Sequence, residues 1–227
     1  MTKGQSKQSA VSPPVSPSPD AGMTLDTSNF RKHTSGNPLQ RRLIDRFHRR
    51  VTAQIADLAP QSLLDAGCGE GFVAGLLLRQ RPGLALTAFD FNPDAVRLAQ
   101  TRNPSGAFLT ATIFDLPFAA NAFDVVCCFE VLEHLREPAG ALRELVRVAR
   151  RAVVLSVPRE PLFSWANTAR GKNLDVRPRG SDPDHRQFWS RDTFAAFVAD
   201  QLEVTTLTSS FPWTICVGHK RGTVSGN

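Results

Sequence analysis

Short apolar segments of strand length alternate with segments of helical periodicity from residue 61 to residue 219. Strands are predicted at Ser62–Ala66, Leu84–Phe89, Ala107–Ile113, Phe123–Phe129, Ala152–Val157, Leu202–Thr208 and Trp213–His219, and helices at Phe72–Arg81, Pro93–Arg102, Pro138–Arg150 and Arg191–Asp200. This order is typical of a parallel sheet whose strands are connected by helices on both faces. The last two predicted strands have no helix between them, so they suit an antiparallel pair at one edge. The sequence therefore predicts a single α/β domain built on a doubly wound, seven-stranded sheet with an antiparallel edge strand.

The composition is that of a globular chain: 41% of the 227 residues are hydrophobic and 21% are charged. No apolar run approaches the ~18 residues of a membrane span, and because no apolar stretch lies near Met1 we expect no secretory signal. Residues 1–28 contain six Ser, four Pro and no aromatic residue, which predicts a disordered tail. The four cysteines form no Cys-x-x-Cys pair, so they predict neither a zinc knuckle nor a disulfide framework. We expect reduced core cysteines in a cytoplasmic protein with no membrane span.

Residues 29–60 are predicted to form a basic, amphipathic helical segment. Asn37-Pro38 supplies a helix cap and a proline for the first turn, and apolar residues then recur at every fourth position. The opposite face is basic: residues 31–50 contain seven Arg or Lys against one acid, Asp45, a difference of +6 that equals the net charge of the chain. Two interpretations stay open. The face is either solvated or a surface for an anionic partner such as phosphate, nucleic acid or an acidic substrate.

A glycine-rich segment, Leu63–Gly71, lies at the first predicted strand-to-helix turn. Ligands of doubly wound sheets bind outside the carboxyl ends of the strands, and glycines there let the backbone approach a ligand closely. The glycines at 67, 69 and 71 do not fit the dinucleotide-binding spacing, because the third glycine position is Phe72. Asp65, which ends the strand, would also repel a pyrophosphate. The turn therefore indicates a different small ligand.

The segment Asp65-Ala66-Gly67-Cys68-Gly69-Glu70-Gly71 resembles the first motif of the class I S-adenosylmethionine-dependent methyltransferases. Further segments agree in order: Thr87-Ala88-Phe89-Asp90, Asp115-Leu116-Pro117-Phe118, Asn121-Ala122-Phe123-Asp124-Val125-Val126 and Glu130-Val131-Leu132-Glu133-His134-Leu135. The resemblance covers roughly residues 63–157 and the closing strand pair. It implies a Rossmann-like methyltransferase domain over about residues 61–220, with S-adenosylmethionine as its cofactor.

The resemblance also implies which residues hold the cofactor. Asp90 is similar to the acid that binds both ribose hydroxyls, and Glu130 to a residue near the methionine end of the cofactor. Where the family often has an acid against the adenine amino group, this chain has Thr112-Ile113-Phe114, whose apolar side chains would sandwich the adenine. The cofactor-binding set expected from the resemblance is Asp65, Ala66, Gly67, Cys68, Gly69, Asp90, Phe91, Thr112, Ile113, Phe114 and Glu130.

Two acids and a histidine follow the fourth predicted strand: Glu130, Glu133 and His134, at positions i, i+3 and i+4. On a helical turn they would share one face, and this mixture of donors suits a divalent ion. With His185, in a later His-x-x-x-Trp-Ser segment, the spacing resembles the metal-dependent O-methyltransferases of the ubiquinone pathway and the 3′-terminal 2′-O-methyltransferases of small RNAs. The resemblance implies Mg²⁺ or Mn²⁺ on these four residues, with His134 and His185 catalytic. His134 as a metal-free base, or a purely structural role, are the alternatives.

Residues 158–190 are predicted to be an insertion at the ligand edge, with four aromatic residues that form either a substrate wall or a packed cluster. No Asn/Asp-Pro-Pro-aromatic motif follows the fourth strand, which argues against methylation of a nucleobase amine. The leading hypothesis is O-methylation of a small molecule, such as a phenol, a secondary metabolite or a sugar, in small-molecule biosynthesis. The alternatives are 2′-O-methylation of RNA and a catalytically silent cofactor-binding regulator.

Overall fold

The structure, a computed structural model, describes residues 33–169, 171, 173–176 and 180–222. The predicted disordered tail, residues 1–28, lies outside the described residues, as do Arg31 and Lys32 of the basic segment. Among the residues that are described, none of the helices combines the length and the apolar character needed to cross a membrane.

Seven strands of the described chain form one sheet in the order β3-β2-β1-β4-β5-β7-β6. The strands are β1 (Ser62–Ala66), β2 (Ala85–Asp90), β3 (Ala107–Thr110), β4 (Phe123–Phe129), β5 (Ala149–Pro158), β6 (Glu203–Ser210) and β7 (Trp213–His219). β1 to β5 pair in parallel, whereas β7 is antiparallel to both of its neighbours. The predicted α/β sheet and the antiparallel pair at one edge are confirmed. Within that pair, β6 forms the edge and β7 lies inside it.

The helices cover both faces of the sheet. They are α1 (Pro38–Leu58), α2 (Phe72–Gln80), α3 (Pro93–Arg102), α4 (Pro138–Val148), α5 (Leu162–Ala169) and α6 (Arg191–Ala199), with a 3₁₀ turn at Leu132–His134. Apolar residues of α1, α2 and α3 pack on one face, and those of α4 and α6 pack on the other. Alternate residues of the buried strands serve the two faces, as Val125 and Val126 of β4 do. Because β1 to β5 are parallel, each crossover carries the chain back to the edge where the next strand begins, and the carboxyl ends of all five strands meet at the other edge.

The helix α1 begins where the sequence predicts. The Asn37 side chain accepts hydrogen bonds from Leu39 N (2.9 Å) and Gln40 N (3.2 Å), and Pro38 occupies the first helical position. These contacts satisfy two of the backbone N–H groups that a helix start leaves without a partner. Phe47 and Val51 are among the residues that its apolar face buries against the sheet.

The largest differences from the prediction are two strand boundaries and one additional helix. β3 ends at Thr110 rather than Ile113, because Ala111 N already donates to Asp90 O, beyond the paired region. β5 starts at Ala149 rather than Ala152. Residues 149–151 continue the helical pattern of α4 in the sequence, but Ala149 pairs with β4 and the strand begins there. The helix α5 was not predicted; it lies inside the insertion of residues 158–190.

Candidate cofactor and substrate site

The glycine loop leaves β1 in a conformation that side chains disfavour. Gly67 and Gly69 have φ values of 77° and 51°, in the left-handed region. Gly67 N and Cys68 N both donate to Phe89 O, at 2.8 and 2.9 Å, which holds the loop against the end of β2. A Cβ atom at Gly67 would overlap Val131 Cγ2. The loop therefore lies directly against the segment that follows β4.

The Asp90 carboxylate joins the glycine loop to the start of α3. Its Oδ2 accepts a hydrogen bond from Gly69 N and its Oδ1 accepts one from Asn92 N, both at 2.9 Å. Burial raises the pKa of Asp90 above its ordinary value, while the two backbone N–H groups act in the opposite direction. Asp90 thus lies at the carboxyl end of β2, next to the loop, where the resemblance expects the ribose-binding acid.

Asp65 is a buried acid at the end of β1. Loss of hydration is the main reason that its pKa rises to about 7; a Cys127 Sγ contact at 3.5 Å lowers the pKa and the charge of Asp90 raises it. Among the described residues, none donates a hydrogen bond to its Oδ2, although that atom is buried. Burial also raises the pKa of the neighbouring Cys68 thiol, so that thiol is a poor nucleophile. A buried acid with one oxygen unsatisfied suits a site that receives a polar ligand.

Apolar side chains flank Asp90 on the same edge. Phe91, which follows it, is 81% exposed, and Phe114, after β3, is 47% exposed. Ile113, which precedes Phe114, is buried, and Ala111 N donates to Asp90 O at 3.1 Å. Large exposed aromatic side chains beside a polar anchor are typical of a binding site for a planar ring.

The spacing predicts that Glu130 shares a helical turn with Glu133 and His134, but in the structure Glu130 lies before that turn. It has a φ of 59°, in the left-handed region, and the 3₁₀ turn starts only at Leu132. Its carboxylate instead accepts hydrogen bonds from Trp213 Nε1 and from Ser156 Oγ, the latter at 3.3 Å. No sequence pattern indicates these two partners, because they lie on β5 and β7.

The Trp213 side chain extends this contact to the N-terminal helix. It is 4% exposed, and its ring centroid lies 4.9 Å from that of Phe47 in α1. Phe47 also meets Phe129 edge-on, at 6.1 Å. The helix α1 therefore packs directly behind Glu130.

The structure brings three of the four predicted metal ligands together. One donor atom each from Glu133, His134 and His185 lies within 4.8 Å of the others. Glu133 is 1% exposed, whereas the imidazole of His134 is exposed. The His134 and His185 rings meet edge-on, with their centroids 5.0 Å apart. The remaining predicted ligand, Glu130, is not part of this group.

Backbone contacts fix the insertion against the turn that carries this group. Arg186 N and Gln187 N donate to Glu133 O, at 2.7 and 3.0 Å. His134 Nδ1 lies 3.2 Å from Asp184 O. Because a carbonyl oxygen only accepts, Nδ1 carries the proton in this contact, which leaves Nε2 of the neutral ring as the acceptor.

A buried polar network, which the sequence analysis missed, supports the insertion. Ser164 Oγ donates to Glu160 Oε2 at 2.6 Å and lies 2.9 Å from Ser181 Oγ. Asn167 Nδ2 donates to Gly180 O at 2.9 Å. Ser164, Asn167 and Ser181 are buried. The network ties α5 to residues 180 and 181, and so stiffens the segment that carries His185.

The chain matches known proteins over this region. Residues 64–157 match the methyltransferase domain family. A malonyl-(acyl-carrier protein) O-methyltransferase of Herminiimonas arsenicoxydans is 39% identical over 111 residues, 46% of this chain and 40% of that enzyme. A ubiquinone biosynthesis O-methyltransferase of Marinobacter nauticus is 30% identical over 167 residues, 68% of this chain and 66% of that enzyme. The chain spans less than half the length of the first curated relatives that it matches.

The fold has a close counterpart among solved structures. A protein of Pyrococcus horikoshii OT3 superposes with a TM-score of 0.63 at 15% identity, over 85% of this chain and 96% of that one. Sheet order, glycine loop and domain match agree: the chain belongs to the class I S-adenosylmethionine-dependent methyltransferases. Within that class, residues 64–157 form a methyltransferase domain.

Proposed function

We propose that this protein transfers a methyl group from S-adenosylmethionine to an oxygen atom of a small molecule. The observation that carries the proposal is the contact between Gly67 and Val131. It places the turn with Glu133 and His134 directly beside the glycine loop, so a nucleophile at that turn lies next to the cofactor. The two enzymes compared above, both named O-methyltransferases, support oxygen as the acceptor.

The cofactor, when bound, supplies an electrophilic methyl group on a sulfonium. In this proposal the Asp90 carboxylate accepts hydrogen bonds from the ribose, and Glu130 faces the methionine ammonium. Phe91 and Ile113 pack on the adenine, beside Thr112 and Phe114, and the loop from Asp65 to Gly69 provides backbone contacts. Charge-assisted contacts of this kind contribute about 1.5–3 kcal/mol each.

Where no metal ion is bound, His134 is the proposed general base. Its Nε2 is the acceptor of the neutral ring, because Nδ1 faces the Asp184 carbonyl. A phenolic hydroxyl loses its proton only near pH 10, so a base next to it accelerates attack at neutral pH. His185, with its ring beside that of His134, would orient the same substrate oxygen.

A divalent ion is the other way in which this group can activate the oxygen, because His134 Nε2 can either bind an ion or accept a proton, but not both at once. Glu133, His134 and His185 fit one, because their donor atoms converge and mix one carboxylate with two imidazoles. Of Mg²⁺ and Mn²⁺, the second tolerates imidazole ligands better. Bound there, the ion would lower the pKa of a substrate hydroxyl. Glu130, committed to Trp213 and Ser156, is left out of this ligand set.

The experiment is a methyl-transfer assay with labelled S-adenosylmethionine and a panel of phenols, carboxylic acids, sugars and short RNAs. We expect transfer to a hydroxyl or carboxyl oxygen in one small-molecule class. His134→Ala should abolish that transfer, and His219→Ala, in β7 away from the group, should not. Transfer to nitrogen or carbon would overturn the proposal, and transfer only to RNA would favour the 2′-O alternative. Tight binding of S-adenosylhomocysteine with no turnover on any acceptor would favour a silent regulator.

A further inference from the structure

The exposed face of α1 carries five arginines: Arg41, Arg42, Arg46, Arg49 and Arg50. They cover nine helical steps, a rise of about 13 Å. Asp45 is the one acid among residues 41–50, so this stretch has a net charge of +4 (five minus one). The apolar residues of the same stretch, such as Ile44 and Phe47, face the sheet and are buried. We call the five side chains the arginine face.

No ion pair or side-chain hydrogen bond joins the arginine face to another residue within the described part of the chain. Arg147 and Arg150, by comparison, form ion pairs with Glu144 and Asp124. Five neighbouring guanidinium groups repel one another, and that repulsion is relieved when an anion binds across them. All five are arginine and none is lysine, which favours the two-pronged recognition of phosphate or carboxylate oxygens.

The chemistry of the face distinguishes between possible anionic partners. A protein interface is centred on buried apolar or aromatic side chains, whereas α1 exposes a single large apolar residue, Leu39 in its first turn. An amphipathic helix that binds a membrane inserts its apolar side, but the apolar side of α1 is buried against the sheet. A nucleic acid backbone requires neither exposed apolar side chains nor an apolar side that inserts, since phosphate contacts alone supply sequence-independent affinity.

We propose that the arginine face binds the phosphate backbone of a nucleic acid without reading its sequence. This function goes beyond the proposed methyl transfer and does not depend on it. The first turns of α1 lie near the catalytic edge, because Phe47 packs on Trp213, the donor to Glu130.

The test measures the binding of a labelled 20-nucleotide single-stranded RNA to the full chain at several salt concentrations. Contact with up to five phosphates predicts a slope of log K against log salt of about −3.5, from ~0.7 per contact in single strands. The variant Arg46→Glu/Arg49→Glu should lose at least tenfold in affinity, and its slope should become shallower by about 1.4. The control Arg79→Glu/Arg143→Glu changes the net charge equally, at exposed positions of α2 and α4, and should leave both values close to wild type.

Single-stranded and duplex DNA of the same length distinguish the type of nucleic acid, and binding to either supports the proposal if the Arg46/Arg49 variant loses it. Three results would overturn the proposal: no binding to any nucleic acid at 50 mM salt, equal losses in both variants, or stronger binding to polyglutamate or to phosphatidylglycerol vesicles. Binding of S-adenosylhomocysteine, measured on the same samples, verifies that each variant is folded. Because this measurement requires no turnover, a loss of nucleic acid binding can be distinguished from a failure of the proposed methyl transfer.

Discussion

Trp213 Nε1 donates a hydrogen bond to Glu130 Oε2, although the two residues are 83 positions apart in the chain. Trp213 begins β7 and Glu130 follows β4. The Glu130 carboxylate makes this contact and lies outside the group of Glu133, His134 and His185, to which its spacing in the sequence had assigned it. Glu130 is therefore positioned by the sheet and by the helix α1 behind it, rather than by a local turn.

Trp213→Phe removes the donor to Glu130 but keeps a ring against Phe47. If Glu130 binds the cofactor, affinity for S-adenosylhomocysteine should fall by ~10- to 100-fold, the effect of losing a hydrogen bond to a charged group. Calorimetric titration measures this affinity. Trp189→Phe is the matched control, because Trp189 packs on Phe194 and Phe197, away from Glu130. Equal affinities in the two variants would show that Trp213 does not act through Glu130.

Asp90→Asn keeps one oxygen acceptor but removes the charge that the proposed ribose contacts need. We expect affinity for S-adenosylhomocysteine to fall by at least tenfold, with circular dichroism unchanged. Asp57→Asn, an exposed position near the end of α1, is the control. A folded Asp90→Asn protein with wild-type affinity would remove Asp90 from the cofactor site.

Gly67→Ala should destabilise the protein, because it combines a φ of 77° with an overlap at Val131. The expected loss in the free energy of unfolding is about 1–3 kcal/mol, measured by urea denaturation. Because Val131→Ala removes the overlapping Cγ atoms, the double variant should lose less than the two single variants do in sum. Strict additivity would show that backbone strain alone, and not the approach of the two segments, requires glycine there.

The buried acid Asp65 should make stability depend on pH. Its folded pKa of about 7 lies above the ordinary value of 3.8, so the folded state binds the proton more tightly than the unfolded state does. Its contribution is therefore fully present below pH 4 and is lost as the pH rises to about 7, by an amount on the order of 4 kcal/mol. The Asp65→Asn protein should not show this loss of stability between pH 4 and about 7. Denaturant unfolding at pH 5 and pH 8 measures it, and equal pH dependence in both proteins would contradict the assignment.

Removal of divalent ions should reduce methyl transfer without affecting the cofactor. We expect EDTA to abolish activity and Mn²⁺ to restore it. The affinity for S-adenosylhomocysteine should stay unchanged, because the proposed metal ligands are not among the proposed cofactor-binding residues. His185→Ala should weaken Mn²⁺ binding in calorimetry at least tenfold, whereas His219→Ala should not. Full turnover in EDTA would leave His134 acting as a metal-free base.

Much of the sheet could be predicted because local signals were strong. The bounds of β1, α3, β4 and β7 agree with the prediction at both ends. α3, for example, begins with an Asn-Pro cap whose side chain accepts from two backbone N–H groups. The start of β5 was misjudged because Ala149 continues a helical pattern, while pairing with Phe123 decides its conformation. Such long-range pairing leaves no periodic signal in the sequence.

The candidate site was predicted unevenly for the same reason. Motif resemblance placed Asp65, Asp90 and the glycines at the ligand edge, where the structure has them; their cofactor contacts stay predictions. The grouping of Glu133, His134 and His185 agrees with the expected cluster, but the place of Glu130 does not. A positive φ at a glutamate and a partner on β7 cannot be inferred from spacing.

The position of β7 between β5 and β6 has a consequence for synthesis on the ribosome. The strand that completes the sheet is the last of the seven along the chain, and it must enter between two strands made before it. Trp213, the first residue of β7, donates the hydrogen bond to Glu130. A nascent chain whose β7 is still inside the ribosome therefore has the glycine loop but lacks the hydrogen bond to Glu130. If Glu130 binds the cofactor as proposed, the cofactor site is completed only after β7 has left the ribosome and paired between β5 and β6.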